Sequence, residues 1–167
     1  RFNLNQVEEI MTNYGDISEL WFDMGSLTLS QSQGLYELVS RLQPQCMISG
    51  RLGNDWVDFA VMADNEYPDY KLGVPWQTAA SIFPETWGYR SWQERGEVQP
   101  KVKEKIASLV KVISRGGNYL LNIGPRGDGS VVEFERDVLL GIGKWIKVNA
   151  EAIYGTNANP FDQPFAW

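Results

Sequence analysis

Two stretches of this chain carry residues that could act as a pair. Residues 19–25, "ELWFDMG", set Trp21 and Phe22 beside Asp23 and stop at Gly25. A carboxylate at the end of an apolar run must be solvated, paired or used, because burial of a lone charge is costly. Residues 62–70, "MADNEYPDY", place Asp64, Glu66 and Asp69 within six positions. Glycoside hydrolysis needs two carboxyls, one as nucleophile or base and one as a proton donor whose pKa is raised by its surroundings. Plainer readings stand beside this one: a strand-end Asp also caps helices or anchors loops, and an acidic loop is often only solvated. Trp21, two residues before Asp23 and on the same strand face, adds a ring that could stack on a sugar.

The composition narrows the chemistry. There is no histidine among the 167 residues, which removes Ser-His-Asp and Cys-His nucleophile systems and the common zinc sites. No metal or cofactor is implied, and acid–base work falls to carboxylates, Tyr or Lys. The single cysteine, Cys46, can form no internal disulfide. Seven Trp, seven Tyr and seven Phe make the chain 13% aromatic, which suits either a large core or a site that stacks sugar faces. The net charge of −6 disfavours nucleic acid, which needs clustered Lys and Arg. No apolar run is long enough to span a membrane. No signal peptide is visible, although Arg1 reads as an interior cut that could have lost one.

These residues need elements to position them. "FNLNQVEEIMTNYG" predicts a helix with Val7, Ile10 and Met11 on one face and a stop at Gly15. "ISELWFDMG" predicts a strand, "GLYELVSRLQP" a helix ended by Pro44, and "QCMISGR" a second strand ending at Gly50 and Arg51. Residues 52–89 read as loop crossed by one strand, "WQTAASI". "VKEKIASLVKVISRGG" then predicts a helix with Val102, Ile106, Leu109, Val110 and Ile113 on one face, and "NYLLNIG" a buried strand. A long helix follows over 133–155, its stripe including Phe134, Val138, Ile142 and Trp145. Short apolar strands alternating with helices predict an α/β fold with a parallel sheet, in one domain of ordinary size. Chemistry in such folds sits beyond the C-terminal ends of the strands, where Asp23, Arg51 and the "GPRGDG" turn fall. That turn lacks the Gly-Lys-Ser/Thr ending of a phosphate loop, and its Arg-Gly-Asp tripeptide reads as part of a strand-to-helix turn.

Five ordered blocks, "NYGDISELWFDMG", "ISGRLGN", "WQTAASIFPETWGYRS", "SRGGNYLLNIGPRGDGSV" and "IGKWIKVNAEAIYGT", resemble the motifs of glycoside hydrolase family 29, the α-L-fucosidases. The resemblance runs from about Val7 to Thr156. It implies a partial (β/α)8 TIM-like barrel, roughly its C-terminal half, in a single truncated catalytic domain over residues 1–167. It also implies a retaining, two-step release of L-fucose with Asp23 as nucleophile. The acid/base position varies within the family. Glu66, 43 positions after Asp23, matches several members; others have a Glu where this chain has Gln77, which cannot donate a proton as an acid. Glu66 is therefore preferred, with Asp64 in reserve. Trp21, Arg51 and Trp87 fall on positions that line the fucose pocket in relatives, with Tyr89 and Arg90 nearby. The implied substrate is a fucosylated oligosaccharide or glycoconjugate. The implied protein is a soluble enzyme of bacterial type, its compartment (periplasmic, secreted or cytoplasmic) left open.

The family's barrel is about twice this length, and its upstream strands bring histidines that hold fucose hydroxyls. A split enzyme, a fragment or a truncated form that self-associates would each account for their absence here. The last predicts a homo-oligomer, with Trp92, Trp145 and the tail "PFDQPFAW" as contact candidates. The alternative function is a non-catalytic fucose-binding or assembly fragment.

Overall fold

The computed structural model describes residues 2–23 and 25–160. The chain forms two compact units that divide between Val61 and Met62. Most of the aromatic tail singled out above, residues 161–167, lies outside the described residues.

The first unit opens with helix α1 (Phe2–Asn13), whose Val7 and Met11 are one turn apart and buried. Ile10 was expected to share that face but is 38% exposed; Val7 and Met11 face the second helix and the core instead. That helix is α2 (Leu29–Leu42), which starts well before the predicted boundary. Its early start is set by a capping box. The Thr28 hydroxyl accepts the Gln31 N–H, and the Gln31 side chain accepts the Thr28 N–H in return. Between the helices runs β1 (Glu19–Leu20), parallel to β2 (Met47–Ile48) with Leu20 opposite Ile48. Gln43, buried after α2, donates to the carbonyls of Met11 and Gly15 and accepts the Ile17 N–H, so one side chain ties α1 to the entrance of β1.

Both strands are shorter than predicted. After Ile48 the chain turns into a short 3₁₀ helix, Gly50–Leu52, and the β1–β2 ladder ends at Leu20–Ile48. The region read as loop holds a further strand, β3 (Ala60–Val61), and Phe59 just before it bridges Ser49 in parallel. Asp58 fixes this approach: its carboxylate accepts the Ile48 N–H at 2.8 Å and the Tyr36 hydroxyl at 2.6 Å. The core comprises Val7, Met11, Leu35, Leu38, Val39, Cys46, Ile48 and Leu52. Burial pushes the Cys46 thiol pKa above its ordinary value.

The second unit is built on β4 (Trp76–Ser81) and β5 (Gly117–Asn122), parallel over six residue pairs from Trp76–Gly117 to Ser81–Asn122. Helices α3 (Val98–Ser114) and α4 (Glu133–Asn149) pack together, with Ile82, Phe83, Val102, Val138 and Ile142 at the core. Close approach is possible because Gly141 faces Val102, where an added Cβ would lie 2.6 Å from a valine methyl. Helix α3 begins four residues before the predicted start, with Pro100 tolerated in its first turn. Its buried face runs through Val102, Lys105 and Val112, while Val110, expected inside, is 42% exposed. Strand β5 was expected to be buried throughout. Instead, one face is open, with Leu120 47% exposed. The long terminal helix ends earlier than predicted, at Asn149, and passes into a 3₁₀ turn, Ala150–Ala152. Parallel strands alternating with helices make each unit α/β in character. Among the described residues, β1 pairs only with β2, and β5 only with β4.

Candidate active site

In the first unit the sequence-predicted residues Trp21, Asp23 and Arg51 come together. Strand alternation continues past β1: Leu20 and Phe22 pack against the core, while Trp21 lies against Phe59 with ring centroids 6.5 Å apart. Asp23 is on the Trp21 side. The Arg51 guanidinium, from the 3₁₀ turn after β2, meets the Asp23 carboxylate at 2.9 Å and lies 5.4 Å from the centre of the Trp21 ring. The Asp23 side chain remains 49% exposed, and Arg51 23%. The opening alternatives are thus joined: the carboxylate is both paired and solvent-accessible. An ion pair contains the ionised carboxylate, which is the form a nucleophile needs. Indole, guanidinium and carboxylate together offer an apolar wall, a hydrogen-bond fork and an anionic oxygen, the set suited to a sugar.

In the second unit Asp64 and Glu66 flank Asn65 on one tight turn, closed by the Glu66 N–H bonding the Ala63 carbonyl. Asn65 adopts φ +59°, a left-handed conformation that Asn tolerates better than most residues. The turn is lashed to β4. Met62 and Asn65 donate backbone N–H groups to Gln77 and Ala79, the Thr78 hydroxyl donates to the Glu66 carbonyl, and the Asn65 side chain accepts from Ser81. Both carboxylates are exposed on a fixed backbone. Asp69, third of the acidic cluster, is drawn away to α3, where Lys111 at 3.1 Å and Arg115 at 3.5 Å hold its pKa below the usual carboxylate range.

Trp87 is 39% exposed on the loop after β4, and its carbonyl accepts a hydrogen bond from the Asn122 side chain at the end of β5. Here the two strand exits meet. Gly124 sits so close to Gly88 that an added Cβ would lie 2.8 Å from backbone carbon, and its N–H bonds the buried Glu135 carboxylate. Arg126 lies over the Tyr89 ring at 5.9 Å and donates to the Ser130 hydroxyl, so the Arg-Gly-Asp tripeptide is part of a closed turn. Sequence reasoning missed Asn122, Glu135 and Ser49. Asn122 sits in the apolar run "YLLNIG", where a polar residue has to find a partner; Glu135, in the charged stretch "EFERD", gave no such signal.

The comparisons with known proteins agree on one family. The α-L-fucosidase family model matches residues 1–151. Human tissue α-L-fucosidase is 44% identical over 89 residues, covering 53% of this chain and 18% of that protein. The structure of α-L-fucosidase isoenzyme 1 from Paenibacillus thiaminolyticus superimposes with a TM-score of 0.87 at 29% identity, over 98% of this chain and 42% of that one. The α-L-fucosidase AlfC from Lactobacillus casei, solved in complex with α-L-fucose product, gives 0.70 at 35% identity over 88% of this chain and 45% of its own. The chain spans less than half the length of each of these proteins. Matched from its first helix through its last, this chain belongs to the α-L-fucosidase family, glycoside hydrolase family 29.

Proposed function

We propose that the chain carries the nucleophile of a retaining α-L-fucosidase, hydrolysing terminal α-L-fucosyl residues from a fucosylated glycan or glycoconjugate. Asp23 attacks the anomeric carbon of fucose, and the bond to the leaving oxygen breaks as Glu66 delivers a proton to it. Water then attacks the fucosyl–Asp23 ester, giving up a proton to Glu66 and regenerating both carboxyls. Arg51 orients Asp23, Trp21 and Trp87 stack on the sugar, and Asp64 contacts substrate beside Glu66. The observation that carries this reading is the exposed Asp23 carboxylate, held by Arg51 at the exit of a parallel strand and flanked by Trp21. The chain is read as a single truncated catalytic domain over residues 1–167, of the kind that forms the C-terminal half of a (β/α)8 barrel.

The test is turnover of an aryl α-L-fucoside. Asp23→Gly should abolish it, and azide should restore part of the rate by forming β-L-fucosyl azide in the space left by the carboxylate. Undiminished turnover in Asp23→Gly would sink the nucleophile assignment. The reading includes self-association, because β1 and β5 each keep one unpaired edge among the described residues, and such edges invite pairing with a second copy.

A further inference from the structure

Asp23 lies beyond the last rung of its strand. The β1–β2 ladder ends at Leu20–Ile48, because β2 turns away into the Gly50–Leu52 3₁₀ helix. Phe22, one residue before the carboxylate, would be left with an N–H and a carbonyl that no strand among the described residues answers. Both are taken up by one side chain. The Ser49 hydroxyl accepts the Phe22 N–H at 3.0 Å and lies 3.4 Å from the Phe22 carbonyl, to which it donates. Ser49 is fully buried, so water does not compete for these bonds. Its own backbone is fixed from both sides. Its N–H bonds the Leu20 carbonyl at 3.3 Å, its carbonyl accepts from Leu52 at 3.1 Å, and it bridges Phe59 in parallel. Asp58 anchors the preceding residue, Ile48, through its N–H.

We infer that Ser49 is a positioning residue for catalysis: its hydroxyl replaces the missing strand, fixes the Phe22 peptide and so sets where the Asp23 carboxylate stands. This rests on the proposed role of Asp23 as nucleophile. A serine suits the task because a hydroxyl is both donor and acceptor and is short enough to reach a backbone beside it. Without it, Phe22 keeps its place in the core but the peptide leading to Asp23 has two unanswered polar groups and is free to rotate. A nucleophile displaced by a fraction of an ångström to an ångström loses rate steeply while substrate still binds.

The experiment is a double-mutant cycle in the full chain with an aryl α-L-fucoside. Ser49→Ala should lower kcat by about ten- to a hundredfold with KM changed less than about threefold. In the azide-rescued Asp23→Gly background there is no carboxylate to position, so adding Ser49→Ala should change the rescued rate less than about twofold. Equal losses in both backgrounds would mean general damage to the pocket and overturn the inference, as would an unchanged kcat in Ser49→Ala. Ser49→Cys fills the same space with a weaker hydrogen-bonding group and should show an intermediate kcat; it supplies the readout if Ser49→Ala does not fold. Failure of Asp23→Gly itself to lose activity would instead overturn the nucleophile assignment, and this inference with it.

Discussion

Arg51 and Asp23 form an ion pair that is too exposed to contribute much to stability. Pairs of this kind are worth about 0–1 kcal/mol, so the contact matters for where it holds the carboxylate. Arg51→Met should lower the melting temperature little and lower kcat/KM for an aryl fucoside far more; thermal melts beside kinetics check this, and a large stability loss with normal kinetics would contradict it. The choice between Glu66 and Asp64 is settled by leaving groups. Glu66→Ala should slow substrates with poor leaving groups much more than activated aryl fucosides, which need little protonation. If only Asp64→Ala shows that pattern, the proton donor lies two residues upstream. Tyr119 offers a test by pH. Burial, the largest cause, pushes its phenol pKa up to about 12 from an ordinary 10. The neutral phenol is favoured when folded, so this stabilisation is present below pH 10 and lost as pH rises toward about 12. A Tyr119→Phe variant should flatten that alkaline loss in melts taken across the range. At this scale the sequence was informative about charge and poor about partners. That Asp23, Arg51 and Trp21 stand together was readable in part, because an acid and a base end apolar runs and a ring lies two residues before the acid. Ser49 was not, because a serine before a glycine looks like ordinary turn chemistry.

At the scale of elements, boundaries follow local contacts that periodicity does not report. Helix α2 begins at Leu29 because Thr28 and Gln31 cap each other. Thr28→Ala should therefore cost about 1 kcal/mol, seen as a lower denaturation midpoint with unchanged slope. Gly117 is tighter still. A Cβ there would lie 2.4 Å from the Trp76 ring, which crosses over it while its Nε1 donates to the Arg115 carbonyl. Gly117→Ala must displace an indole that is 1% exposed, and should destabilise by about 1–3 kcal/mol. The alternation of strand and helix was readable from apolar runs and their glycine stops. Strand length was not, since β1 and β2 end where a 3₁₀ turn removes the ladder, a tertiary event. Likewise β3 is two residues long and carries no period. In α3 the predicted face holds at Val102 but not at Val110, since Lys105 and Val112 are buried instead; spacing alone admits both neighbouring stripes.

At the scale of the molecule, the family was legible because five motifs occur in order, and the α/β character because apolar strands alternate with helices; the division at Val61–Met62 was not, since no linker composition marks it. The edges of β1 and β5 that are unpaired among the described residues lead to a prediction about assembly. Light scattering should give a particle larger than the 18.9 kDa chain, with specific activity falling on dilution. A monodisperse particle of chain mass with full activity would contradict it. In the proposed mechanism Asp23 is the nucleophile and forms a covalent fucosyl-enzyme. The most direct measurement is mass spectrometry of the protein inactivated with 2-deoxy-2-fluoro-L-fucosyl fluoride, whose fluorine slows hydrolysis of the ester. One 2-fluorofucosyl adduct per active chain is expected, mapped to Asp23 within residues 19–25 and absent from Asp23→Gly. An adduct on another carboxylate, or fucoside turnover with no trapped adduct, would contradict it.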